Sequence, residues 1–193
     1  MRSREFDRSR LCFYPLSERT NRVDIVRDHI LPSATPPPID REIERRIERL
    51  ADRLVEARRN GASRMLAFGA HTIKNGLGPL LRWLAAEGWV THLATNGAGV
   101  IHDWEFAFQG ESSEDVRANV RVGRFGMWRE TGTFLNLALA VGAYRGLGYG
   151  ASVGAMVEEE RLVIPGEATL RDVATGSVAE DPERAAAAAD LLS

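Results

Sequence analysis

The chain predicts an α/β fold in which a parallel sheet is flanked by helices. Three observations carry that expectation. Two short apolar runs, Met65-Leu66-Ala67-Phe68 and Trp89 to Thr95, have the length of buried strands. Each leads into a glycine-rich polar turn, Gly69 to Gly78 and Asn96 to Gly99, and then into a helical pattern. The resulting order of helix, strand, helix, strand, helix is that of a right-handed parallel βαβ unit.

The elements follow in turn. Residues 1–38 read as an extended N-terminal arm, because Ser33-Ala34-Thr35-Pro36-Pro37-Pro38 cannot be helical. Asp40 then offers an N-cap, and Ile39, Ile43, Ile47, Leu50 and Leu54 recur at three- and four-residue steps. This is one apolar stripe on a helix of roughly 20 residues, ended near Asn60-Gly61. A helix from Pro79 to Glu87 separates the two strands, with Pro79 in its first turn and Gly88 closing it. Another starts through Val100 to Phe108. Ser112-Ser113-Glu114-Asp115 reads as a helix-capping cluster, Val122 to Gly126 as a turn, and Arg129 to Tyr144 and Gly150 to Glu160 as helices. Asp181 and Pro182 introduce a last short helix, Ala185 to Leu192.

Two core strands are legible, and a third if Arg161 to Ile164 pairs. A parallel sheet needs several strands and cover on both faces. The expected organisation is therefore an arm (1–38), a half-domain of a nucleotide-binding sheet (39–165) and a helical tail (166–193); either further strands are illegible in the sequence or another chain completes the half-domain.

Composition narrows the function classes. A 193-residue chain that is 44% hydrophobic and 27% charged is ordinary for one soluble domain. A formal charge of −2 gives no electrostatic footprint for nucleic acid or an acidic membrane. The basic residues from Arg41 to Arg53 alternate with acids, as on a solvated helix face. Cys12 is the only cysteine, so an intrachain disulfide is impossible and a reducing compartment fits. Met1 to Arg10 lacks an apolar signal region, and Phe134 to Tyr144 is too short to cross a bilayer, so a cytoplasmic location is expected.

Lys74 is the only lysine among 25 basic residues. A compact amine in an arginine-dominated chain reads either as a position where a planar guanidinium would not serve or as a codon that drifted no further. It has three readings: a cation for a cofactor phosphate or ribose, a reactive amine, or a structural ion pair. The second turn, Asn96-Gly97-Ala98-Gly99-Val100-Ile101-His102, lets backbone approach a phosphate and opens a helix whose dipole favours an anion by about 0.3–1 kcal/mol. It departs from the dinucleotide fingerprint because His102 holds the third glycine position. An unliganded βα turn is the alternative.

Side by side, the two turns would line the crevice at the carboxyl ends of the strands, gathering His71, Lys74, Asn75, Asn96, His102 and Asp103. His102 beside Asp103 is a candidate proton-transfer pair, or else a helix-start histidine with a local hydrogen bond. His71, His102, Asp103 and Glu105 lack the i, i+4 spacing of a helical zinc motif, so no metal is expected. His29 and His92 have no assigned role, and Trp83, Trp89, Trp104 and Trp128 read as packing residues.

Ala70-His71-Thr72-Ile73-Lys74-Asn75-Gly76 followed by Thr95-Asn96-Gly97-Ala98-Gly99-Val100-Ile101-His102-Asp103 resembles the N-terminal half of the deoxyhypusine synthase family, in its bacterial deoxyhypusine-synthase-like branch. Ser112-Ser113-Glu114-Asp115-Val116 and Gly123-Arg124-Phe125-Gly126-Met127 are similar to that branch too, and the resemblance spans about Arg64 to Gly154. It implies a Rossmann-like NAD-binding fold, an assembly with sites between subunits, and transient oxidation of an amine by NAD. It also implies cofactor contacts from Ala70, His71, Thr72, Ile73, Lys74, Asn96, Gly97, Ala98 and Gly99. His102 and Asp103 fall where the synthases carry acidic residues near the cofactor. The family's imine-forming lysine lies in its C-terminal half, and nothing after Gly154 matches that half, so Lys74 does not inherit the role.

The expectation is an NAD-dependent enzyme subunit of transferase or oxidoreductase type. It acts on a small amine or related metabolite, with His102, Asp103 and Lys74 as catalytic candidates and a second polypeptide in a heterotetramer or similar hetero-oligomer. The alternatives are a non-catalytic regulatory or scaffolding subunit of a full-length paralogue and, more weakly, a metal-dependent hydrolase.

Overall fold

The computed structural model describes residues 7–176 and 179–193. The first six residues of the expected arm and residues 177 and 178 of the expected tail lie outside the described residues. The fold is α/β and 61% helical, and its sheets have only two strands each, so helices build most of the cores.

The elements run β1 (Asn21–Asp24), α1 (Ile25–Asp28), α2 (Arg41–Arg59), β2 (Met65–Ala67), α3 (Ala70–Thr72), α4 (Gly78–Ala86), β3 (His92–Ala94), α5 (Gly97–Gln109) and β4 (Glu111–Glu114). They continue through α6 (Val116–Arg121), α7 (Arg129–Tyr144), α8 (Tyr149–Glu159), α9 (Glu167–Gly176) and α10 (Pro182–Leu192). Strands β2 and β3 pair in parallel with Met65 opposite His92, Leu66 opposite Leu93 and Ala67 opposite Ala94. β1 pairs with β4 in a second sheet. Arg161 to Ile164, the possible third strand, is irregular: Glu160 ends α8 in a left-handed conformation (φ 52°), and the run that follows pairs with nothing among the described residues.

Helix ends follow local chemistry. The Asp40 side chain accepts the Glu42 N–H at the start of α2, Asp115 accepts the Ala118 N–H for α6, and Asp181 accepts the Arg184 N–H for α10. Gly110 closes α5 at φ 74°. Asp115 belongs to the expected capping cluster, but the cluster's other three residues, Ser112, Ser113 and Glu114, lie in β4.

The chain divides into two compact units, one of residues 23–113 and one of the described residues up to Arg22 with Glu114–Ser193. In the first, Ile73, Leu81 and Phe106 form the core, with Val23, Ile25, Leu66 and Phe68 packed against them. α2 contributes no buried residue: Ile39, Ile43, Ile47 and Leu50 are exposed. Its C-terminal end is tied down where the Arg58 guanidinium stacks 4.5 Å from the Trp89 ring centroid and Arg64 reaches the carbonyls of Ala57 and Trp89. The β2–β3 ladder is likewise uncovered at Met65 on one face and at Leu93 on the other.

In the second unit, Tyr144, Leu170, Ala187 and Ala188 form the core between α7, α9 and α10. α7 and α8 approach closely: a Cβ on Gly142 would lie 1.8 Å from Ser152 Oγ. Glu114 gathers the segment before α7, accepting from Asn119 Nδ2 (2.8 Å), Trp128 Nε1 (3.0 Å) and the Gly126 N–H (3.2 Å). Among the described residues, no helix is long and apolar enough to cross a membrane.

Candidate functional site

The parallel register places the carboxyl ends of β2 and β3 next to one another, so both glycine-rich turns leave the same edge of the ladder. The first turn runs through α3 into a π-type segment, Ile73–Leu77, broken at Gly76 (φ 86°). Only glycine fits there, since a Cβ would fall 2.1 Å from the Asp28 carbonyl oxygen, and the Gly76 carbonyl accepts the Ile30 N–H at 2.8 Å. α5 packs against both α3 and this segment, which brings the expected groups of residues together.

Individual residues divide. Ile73 is buried in the core with Leu81 and Phe106, so it can offer a ligand only backbone. His71 and Asn75 are exposed, and Thr72 and Lys74 are half-buried. Lys74 makes no hydrogen bond or ion pair among the described residues, so the ion-pair reading finds no partner there. Asn96 is the N-cap of α5, its side chain accepting the Gly99 N–H at 3.0 Å. Gly97 and Ala98 are exposed in the first turn, where N–H groups have no intrahelical acceptor. Gly99 is buried against Thr95, and a Cβ there would meet Thr95 Oγ1 at 2.4 Å.

His102 and Asp103 turn different ways, as neighbours on a helix must. Desolvation raises the Asp103 carboxyl above the ordinary aspartate value, partly offset by Arg82 and His29. His102 turns its Nδ1 to Ser112 Oγ at 2.7 Å, and the Ser112 hydroxyl donates to Glu105 Oε2 at 2.5 Å. Ser112 and Glu105 are fully buried, at 0% and 1% exposure. The local histidine bond anticipated from the sequence is therefore a contact across ten residues, to a strand. Sequence reasoning missed Ser112 and Glu105 as a pair. The available signal was the i, i+3 spacing of His102 and Glu105, which puts both on one face of α5.

Trp104, Trp128 and His29 pack, whereas Trp83 and His92 are exposed. Trp104 is buried and stacks on Phe108 at 4.8 Å, Trp128 is buried, and His29 meets Phe106 edge-on at 5.0 Å. Among the described residues, no three His, Cys, Asp or Glu side chains converge as a metal site. A cavity of about 510 Å³, lined by Tyr144, Arg145, Gly146 and Arg184 among others, belongs to the other unit and contains none of the expected site residues. Comparison of the chain with protein-family models, curated proteins and solved structures finds no match.

Proposed function

We propose that this chain binds NAD at the paired turns of a Rossmann-like half-domain and serves transient oxidation of a small amine or related metabolite. The reading follows the resemblance to the deoxyhypusine synthase family. The observation that supports it is the parallel pairing of β2 and β3, from whose adjacent carboxyl ends the two glycine-rich turns and the N-terminus of α5 leave. That donor set suits a dinucleotide: the N–H groups of Gly97 and Ala98 and the Lys74 ammonium would hold its pyrophosphate. NAD supplies a hydride acceptor when bound. His102 would then take the one proton that an amine loses as the hydride leaves and the imine forms.

A second polypeptide would complete the architecture, giving a hetero-oligomer with the site at the interface. Its support is the apolar surface left along α2 at Ile43, Ile47 and Leu50. The same surface favours a second reading, a regulatory or scaffolding subunit in which the turns carry no chemistry. A metal-dependent hydrolase has no ligand set to recommend it among the described residues.

Calorimetric titration with NAD tests the proposal, with Lys74→Ala beside the parent chain. Saturable binding weakened at least about tenfold by the substitution supports it, the equivalent of about 1.4 kcal/mol. Saturable binding that Lys74→Ala leaves unchanged would overturn the assignment. In an assembled enzyme, a rate loss above about tenfold in His102→Ala with assembly intact would count against the regulatory reading.

A further inference from the structure

We infer that Glu105 and Ser112 are positioning residues that fix His102 as the Nδ1–H tautomer, leaving Nε2 as the proton-accepting atom. The hydrogen-bond geometry supports it. The Ser112 hydroxyl donates to Glu105 Oε2 at 2.5 Å. With its proton there, Ser112 Oγ offers lone pairs to His102, and the 2.7 Å contact is donated by Nδ1–H. In a neutral imidazole the other nitrogen carries the lone pair.

That nitrogen is open. The His102 side chain is 21% exposed, and no side-chain nitrogen or oxygen among the described residues is both buried and unpartnered. Nε2 has no hydrogen-bond partner among the described residues and is not buried. Nδ1 points toward two groups that solvent does not reach. A proton arriving at Nε2 gives an imidazolium whose second N–H is already donated along a chain ending on a carboxylate. The step balances simply: the N–H or O–H bond of the substrate breaks, an Nε2–H bond forms, and the positive charge is faced by Glu105 through Ser112.

Ser113, the residue after Ser112, lies in the left-handed region at φ 71°, which a non-glycine residue adopts rarely.

The inference rests on the proposed function only for what the proton transfer serves, and its test needs neither NAD nor substrate. Nitrogen-15 NMR of the chain at a pH where the His102 imidazole is neutral reads the tautomer directly. Free histidine in water prefers Nε2–H. The expected result is the Nδ1–H form in about tenfold excess, the ratio one ordinary net hydrogen bond sets, with Ser112→Ala returning it to Nε2–H. Predominant Nε2–H in the parent chain would overturn the inference, since Ser112 would then be donating to His102. An unchanged Nδ1–H form in a folded Ser112→Ala chain would overturn it too. If Ser112→Ala does not fold, the parent spectrum alone decides. Failure of NAD to bind would leave this result untouched, so the two readings fail separately.

Discussion

Gly76 and Asp28 sit against each other with no room for a side chain: a Cβ on residue 76 would lie 2.1 Å from the Asp28 carbonyl oxygen. Backbone, unlike the end of a flexible side chain, cannot swing aside, and residue 76 is also left-handed at φ 86°. Gly76→Ala is therefore expected to cost more than about 3 kcal/mol, the sum of the left-handed penalty and a displaced backbone. Gly61→Ala is the control, being left-handed at φ 63° with nothing within 4 Å, and should cost only about 1–2 kcal/mol. Urea unfolding of both variants checks the difference.

Gly142 and Ser152 make the corresponding contact where α7 meets α8. A Cβ on residue 142 would overlap Ser152 Oγ at 1.8 Å and Ser152 Cβ at 2.3 Å. Gly142→Ala is expected to destabilise by about 1–3 kcal/mol, as overpacking does. Because the clash is with a side chain, Ser152→Gly should recover part of the loss. A double-mutant cycle on unfolding free energies reads this coupling, and simple additivity would contradict it.

Asp103 gives a pH dependence of definite sign. Its carboxyl is raised in the folded chain by desolvation, so between the unfolded and folded values the native state binds more protons. Its contribution to stability is fully present below the unfolded value and is lost as pH rises through the folded one. Asp103→Asn removes that loss. The variant should gain stability relative to the parent on going from about pH 3 to about pH 7, bracketing the ordinary aspartate value. Urea midpoints at the two pH values check it. Asp115 has the opposite sign, because the Ala118 N–H and Arg22 lower its carboxyl. Its contribution is present above the unfolded value and lost as pH falls through the folded one, so the comparison must be made between variant and parent at each pH.

On α2, Ile47→Asp with Leu50→Asp should leave the chain's own stability within about 0.5 kcal/mol, since both side chains are exposed. The pair should nevertheless abolish assembly with a second polypeptide. Native mass spectrometry of a purified two-chain complex, parent against variant, gives the answer. A complex that survives both substitutions would remove α2 from the interface.

Much of the site-bearing half was legible in the sequence, and particular residues show why. The two apolar runs became β2 and β3 because each is short, apolar and followed by a turn that glycine permits. The Ile43-Ile47-Leu50 stripe gave α2 its length, and the structure leaves that stripe exposed. Periodicity reports which residues share a face, not whether anything covers it. β1 and β4 escaped notice because Asn-Arg-Val-Asp and Glu-Ser-Ser-Glu carry almost no apolar signal; they pair by backbone. Glu105 and Ser112 were hidden for a related reason. Their contact joins a helix to a strand, and only the fold supplies that proximity.

The central claim, NAD at the paired turns, is tested most directly by an amide NMR titration of the chain with NAD. The account predicts saturable shifts concentrated at Lys74, Asn75, Gly97 and Ala98, with little change around Tyr144 and Arg184. Saturable shifts confined to the second unit, or none at the turns with NAD in large excess, would contradict it.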